Sequence, residues 1–74
     1  MEFSFDKVAN VLFIWFSNEK VKDSKEIKDG IIIDYGEKDN VLSIEILNFR
    51  NRNLDLNELI QLDEDDLISK IIKK

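Results

Sequence analysis

Carboxylates are the side chains of this sequence best suited to catalysis, because it has neither an imidazole nor a thiol. Among 74 residues there are 16 Asp and Glu but no His and no Cys. A carboxylate pair can perform acid–base or glycosidic chemistry when burial raises the pKa of one member. Asp23, Glu26, Asp29, Asp34 and Glu45 all fall in the first two thirds of the chain. Most sit in polar stretches, where solvated charge at strand ends and turns explains them. Asp34 and Glu45 differ, because each interrupts an apolar run: Ile31-Ile32-Ile33-Asp34-Tyr35 and Val41-Leu42-Ser43-Ile44-Glu45-Ile46-Leu47. On the two arms of one hairpin they could meet as a pair of like charges.

Other constellations fail on residue type or spacing. Ser17, Ser24, Ser43 and Ser69 have no His to act as base, and no nucleophile-elbow or phosphate-loop glycine pattern occurs. Asp63-Glu64-Asp65-Asp66 resembles a cation loop only by charge. A calcium loop needs Gly at its sixth position and Glu at its twelfth, where this chain has Ile68 and Lys74. No cofactor or metal is expected. Phe49 between Asn48 and Arg50, with Arg52 beyond, forms a small basic–aromatic cluster of the kind that stacks bases. Against it stands a net charge of −5, spread so that neither half is basic. Nucleic acid is therefore a disfavoured partner.

The elements that carry these residues can be read from period and punctuation. Glu2–Asp6 alternates Phe3 and Phe5 with polar residues, a half-buried strand. Val11–Phe16 is apolar on both faces and reads as a central strand. The short Asp6–Asn10 connection makes the two a hairpin. Ser17–Asp29 is charged and reads as a long connection, with an irregular edge strand around Lys25–Ile27. Asp29-Gly30 marks a turn before Ile31–Tyr35, and Gly36–Asn40 marks another before Val41–Leu47. Beyond Asn53 the period changes. Leu54, Leu56, Leu59, Ile60 and Leu62 suggest a helical turn with Asn57 as its N-cap. Leu67, Ile68, Ile71 and Ile72 form one face of a helix. Acids at its start and Lys70, Lys73 and Lys74 at its end complement the helix dipole. The expectation is an α+β fold: a four-stranded antiparallel meander over residues 1–48 and a C-terminal helical segment over 54–73, in one domain spanning 1–74.

So small a domain without disulfides or a metal gains little from its own core, roughly 3–5 kcal/mol. Two strands apolar on both faces also need two covers, and one helix provides one. Both arguments predict a partner, most simply a second copy. Aromatics dominate interfaces, and the candidate interface residues are Val11, Phe13, Trp15, Phe16, Ile32, Leu67 and Ile71. No stretch approaches the ~20 apolar residues of a membrane span. The start Met-Glu-Phe-Ser-Phe-Asp has no basic region of a secretory signal, so the cytoplasm is the expected compartment.

Three stretches together resemble a known family. They are Phe5-Asp6-Lys7-Val8-Ala9-Asn10-Val11-Leu12-Phe13-Ile14, then Lys25-Glu26-Ile27-Lys28-Asp29-Gly30-Ile31-Ile32-Ile33-Asp34-Tyr35, then Val41-Leu42-Ser43-Ile44-Glu45-Ile46-Leu47-Asn48. Their order and spacing look like the family catalogued as domain of unknown function 2283. The resemblance covers about Phe3–Asn48 and says nothing of the last third. It departs at the second hairpin turn, where Asp39 stands at a position that is usually Gly, so a differently shaped turn is expected. What the resemblance implies is a small β-meander followed by a helix, without established catalysis, in proteins for which an antitoxin role beside small toxins is proposed. Asp34 and Glu45 match acids of the family pattern.

These readings lead to a non-enzymatic protein-interaction module, an antitoxin-like or regulatory partner that dimerises through its open sheet face or masks a basic protein such as a toxin. A small viral or mobile-element inhibitor of a host protein is the second possibility within the same class. A small enzyme or ligand-binding protein using Asp34 and Glu45 is the rival from another class.

Overall fold

The computed structural model describes residues 1–72, so Lys73 and Lys74, with the expected end of the helix, lie outside the described residues. Five strands form one antiparallel sheet: β1 (Glu2–Asp6), β2 (Val11–Trp15), β3 (Asp23–Lys28), β4 (Ile31–Tyr35) and β5 (Val41–Leu47). A 3-10 turn at Phe49–Asn51 follows, then α1 (Leu56–Leu59) and α2 (Glu64–Ile72). The architecture is α+β as expected, but with five strands rather than four and three short helical pieces rather than one.

The strand order is β1-β2-β5-β4-β3, which corrects the expected meander. The hairpins β1–β2 and β4–β5 are present. β5, however, inserts between β2 and β4, and the chain after β2 crosses to the far edge to begin β3. β5 is the longest strand and pairs along both of its edges, with β2 on one side and β4 on the other. β3 (DSKEIK) is charged because it is an edge. A charged, irregular edge strand resists pairing with another chain, and its register shifts between Glu26 and Lys28.

The registers align residues into rows across the sheet, and successive rows face opposite sides. Phe3, Ile14, Ile44 and Ile33 share one row, and Phe5, Leu12, Ile46 and Ile31 another. Both rows face the helices, where Phe49, Leu59, Leu67 and Ile71 complete the core. Leu12, Ile14, Ile33, Ile46, Leu59 and Leu67 have no exposed surface. Burying each such side chain contributes about 1.5–3 kcal/mol. Phe5 meets Phe49 edge-to-face, ring centres 5.8 Å apart.

Helix ends follow capping chemistry. Asp55, not Asn57, caps α1: its extended backbone lets the carboxylate accept the N–H of Asn57. Asp63 does the same for α2 by accepting the N–H of Asp66 at 2.8 Å. Glu64, Asp65 and Asp66 occupy the first turn of α2 and Lys70 its last, which favours the helix dipole. Lys70 reaches Glu58 and ties α2 to α1. No helix among the described residues is long and apolar enough to cross a membrane.

Candidate functional site

The side of the sheet away from the helices carries the remaining rows. Glu2, Trp15, Ser43, Asp34 and Ser24 form one, and Ser4, Phe13, Glu45, Ile32 and Glu26 the next. Asp6, Val11 and Leu47 begin a third. No helix among the described residues packs on this face. Phe13 and Trp15, two apart on β2, project from it together. Their rings stack with centres 5.4 Å apart and planes 9° from parallel. Trp15 is 36 % exposed; Phe13 and Ile32 are half-buried.

Asp34 is held from both sides by its row neighbours. Ser24 donates its hydroxyl to Oδ1 at 2.5 Å and Ser43 donates to Oδ2 at 2.6 Å. Ser43 is 6 % exposed, so a buried hydroxyl fixes one edge of the carboxylate. This three-strand arrangement was hidden in the sequence, because Ser24 lies in the charged edge strand and only the register brings it beside Asp34. The expected meeting of Asp34 and Glu45 is a diagonal one. Asp34 lies opposite Ser43 and Glu45 opposite Ile32, so the two acids share a face one row apart. Neither is ion-paired among the described residues. No grouping of three acids that could hold a metal occurs among the described residues.

Of the interface residues expected from sequence, Phe13, Trp15 and Ile32 lie together on the open face. Leu67 and Ile71 do not: they are 0 % and 2 % exposed and fill the core under the sheet. Their helical stripe serves the chain's own sheet. Phe16, one residue past β2, points the opposite way from Trp15 and packs against that core. Val11 is buried beside Leu47 at the end of the open face.

The basic–aromatic cluster has a structural role. Arg50 donates from Nε to Asn10 Oδ1 and from a terminal nitrogen to the carbonyl of Lys7, while its guanidinium lies over the Phe5 ring. Asn10 and Asn48, both left-handed (φ 59° and 58°), are joined by a side-chain hydrogen bond. Arg52 donates to the carbonyls of Leu47 at 2.7 Å and Asp29 at 2.6 Å. The arginines therefore pin the β1–β2 and β3–β4 turns to the segment after β5. Gly30 makes room for this. It has φ +76°, and a Cβ there would lie 2.2 Å from an Arg52 nitrogen. Beside this clamp, a concavity of about 190 Å³ is lined by Ile31, Leu54 and Ile71 together with Lys28, Arg52, Asn53 and Lys70. It is smaller than the few hundred Å³ of an ordinary ligand cleft.

Comparison with known proteins adds one relative and a family. A protein of Methanosarcina mazei named "Putative hypoxanthine phosphoribosyltransferase" is 39 % identical over 51 residues, which cover 69 % of this chain and 41 % of that protein. The chain thus spans well under half the length of the relative it matches. No solved structure matches it. Residues 2–50, from the first residue of β1 through β5 into the 3-10 turn, match the pattern of a family of unknown function, and the chain belongs to that family, described as protein of unknown function (DUF2283).

Proposed function

We propose that this chain is a non-enzymatic protein-interaction module that works through its open sheet face. The observation carrying this reading is the stacked, partly exposed Phe13–Trp15 pair on a sheet side that no helix covers among the described residues. Stacked aromatics supply large, stiff contact area, and aromatics head the residues that anchor interfaces. An antitoxin-like or regulatory partner, acting by masking another protein, is the form that best fits so small and acidic a chain. A second copy on the same face, giving a homodimer, is the other arrangement. The name of the Methanosarcina mazei relative describes a whole protein of which this chain matches 41 %. Transferase activity is not carried over to this chain.

The test is recovery of partners from the native cells with tagged wild-type chain and tagged Trp15→Ser. Trp15 is partly exposed, so Trp15→Ser should keep the far-ultraviolet circular dichroism of the wild type. A stoichiometric protein held by wild type and released by Trp15→Ser is the expected result. Equal recovery by both, or no associated protein and no self-association, would refute the reading. For the rival use of Asp34 and Glu45 in a ligand site, Asp34→Asn would abolish an activity while leaving partner recovery intact.

A further inference from the structure

We propose that the open face receives an arginine-bearing segment of a partner protein, its guanidinium lying on the Phe13–Trp15 stack and forking onto Asp34 or Glu45. This deepens the interaction-module reading and rests on it. Charge decides the occupant. The paired rows of the open face hold Glu2, Asp6, Glu26, Asp34 and Glu45 and no Lys or Arg; Asp6 and Glu26 cap the turns beside them, and Lys22, one residue before β3, is drawn to Asp39. Lys25, next to Glu26, belongs to the opposite side, over the Tyr35 ring. A second copy docked face to face would set these same carboxylates against one another, and juxtaposed like charges select against a partner. A cationic partner meets complementary charge instead.

The arrangement selects arginine among cations. A flat guanidinium stacks on aromatic rings and pairs with a carboxylate through two parallel N–H donors, which an ammonium cannot do. Asp34 is already oriented for this. Its two oxygens take one hydroxyl each, from Ser24 and Ser43, and an ionised carboxylate has about four acceptor positions. Glu45 lies in the adjacent row between Phe13 and Ile32, so one side chain from above can reach the stack and an acid together. Five strands at ~4.8 Å spacing and about five residues at ~3.4 Å give a face of roughly 24 by 17 Å. That is small for a stable complex and suits a weak, reversible one.

Trp15 is the single tryptophan, so its fluorescence reports from within the site. The probe is an end-blocked peptide alternating Arg and Ser, titrated at low salt against the full chain, with the Lys–Ser and Glu–Ser peptides as comparators. Expected are a saturable change for the Arg peptide, weaker binding of the Lys peptide and none of the Glu peptide. Asp34→Asn combined with Glu45→Gln should weaken the Arg peptide by about tenfold. Glu64→Gln combined with Asp65→Asn removes the same charge from α2 and should leave it unchanged, with folding of each variant checked by circular dichroism. Equal loss from both double variants would show attraction to net charge alone and overturn the proposal. So would equal binding of the Lys and Arg peptides. A dimer seen by sedimentation and abolished by Phe13→Ser would overturn arginine recognition yet leave the interaction-module reading standing. The absence of both peptide binding and self-association would overturn this inference, and the partner-recovery experiment then decides the module reading separately.

Discussion

Replacing Gly30 with Ala should destabilise the fold by about 2–4 kcal/mol, and about half of that cost should depend on Arg52. Two contributions combine. Gly30 sits at φ +76°, and a left-handed backbone costs a non-glycine residue about 1–2 kcal/mol. The added Cβ would also lie 2.2 Å from an Arg52 terminal nitrogen and 3.4 Å from Leu47 Cβ. The arginine tip can swing away, but only by releasing the Asp29 carbonyl it holds at 2.6 Å. A hydrogen bond from a charged group contributes about 1.5–3 kcal/mol net, less here because the site is partly exposed. The assay is urea unfolding followed by Trp15 fluorescence, run as a double-mutant cycle with Arg52→Ala. Once Arg52 is gone, Gly30→Ala should cost only its backbone share of about 1–2 kcal/mol, leaving a coupling of about 1–2 kcal/mol. Costs that simply add, with coupling below ~0.3 kcal/mol, would refute the idea that Gly30 exists to admit the arginine clamp.

Two further outcomes follow from the same geometry. Asp39 holds φ 60° in the turn before β5, while Gly36 does not need a positive φ, so Asp39→Gly should raise stability by about 0.5–1 kcal/mol; the Lys22 ion pair it removes is long (3.9 Å) and exposed, and the shift reads directly in the thermal midpoint. Leu67→Ala should cost about 2–5 kcal/mol, enough to unfold much of so small a domain, and it should lower stability and partner recovery together, whereas Trp15→Ser gives up the stack on Phe13, costs about 1–2 kcal/mol and lowers recovery while the chain stays folded.

Period and turn chemistry located most elements. Glu2–Asp6, Ile31–Tyr35 and Val41–Leu47 appear with the bounds that alternation and the flanking turn residues suggested, and β2 ends one residue early, at Trp15. Alternation says that a segment is a strand but not which strand lies beside it. Nothing local marks β5 as the strand between β2 and β4, because that depends on where the long crossing after β2 delivers the chain. β3 was only half legible, since charge at an edge reads like charge in a loop. The site shows the same divide. Phe13 and Trp15 share a face by parity, which a sequence displays; Ile32 joins them only through the register of β4 on β5. Ser24 beside Asp34, and Arg52 beside Gly30, are meetings between distant segments and exist only in the register. The expected reshaping at Asp39 took a simpler form: the aspartate itself adopts the left-handed conformation.

The central place of β5 has a consequence for the order of assembly. Until Leu47 is made, the inner edges of β2 and β4 have no strand to pair with; β2 is apolar on both faces, and β4 on the face of Ile31 and Ile33. At ribosomal rates of about 5–20 residues per second, the chain between Trp15 and Leu47 takes ~2–6 s to synthesise. The β3–β4 hairpin is complete only once Tyr35 has been made, so for the last ~0.6–2.4 s of that interval two separate hairpins, β1–β2 and β3–β4, await the strand that joins them. The last strand to emerge acts as a keystone, and slowing its arrival should divert the chain toward aggregation more than slowing any other segment.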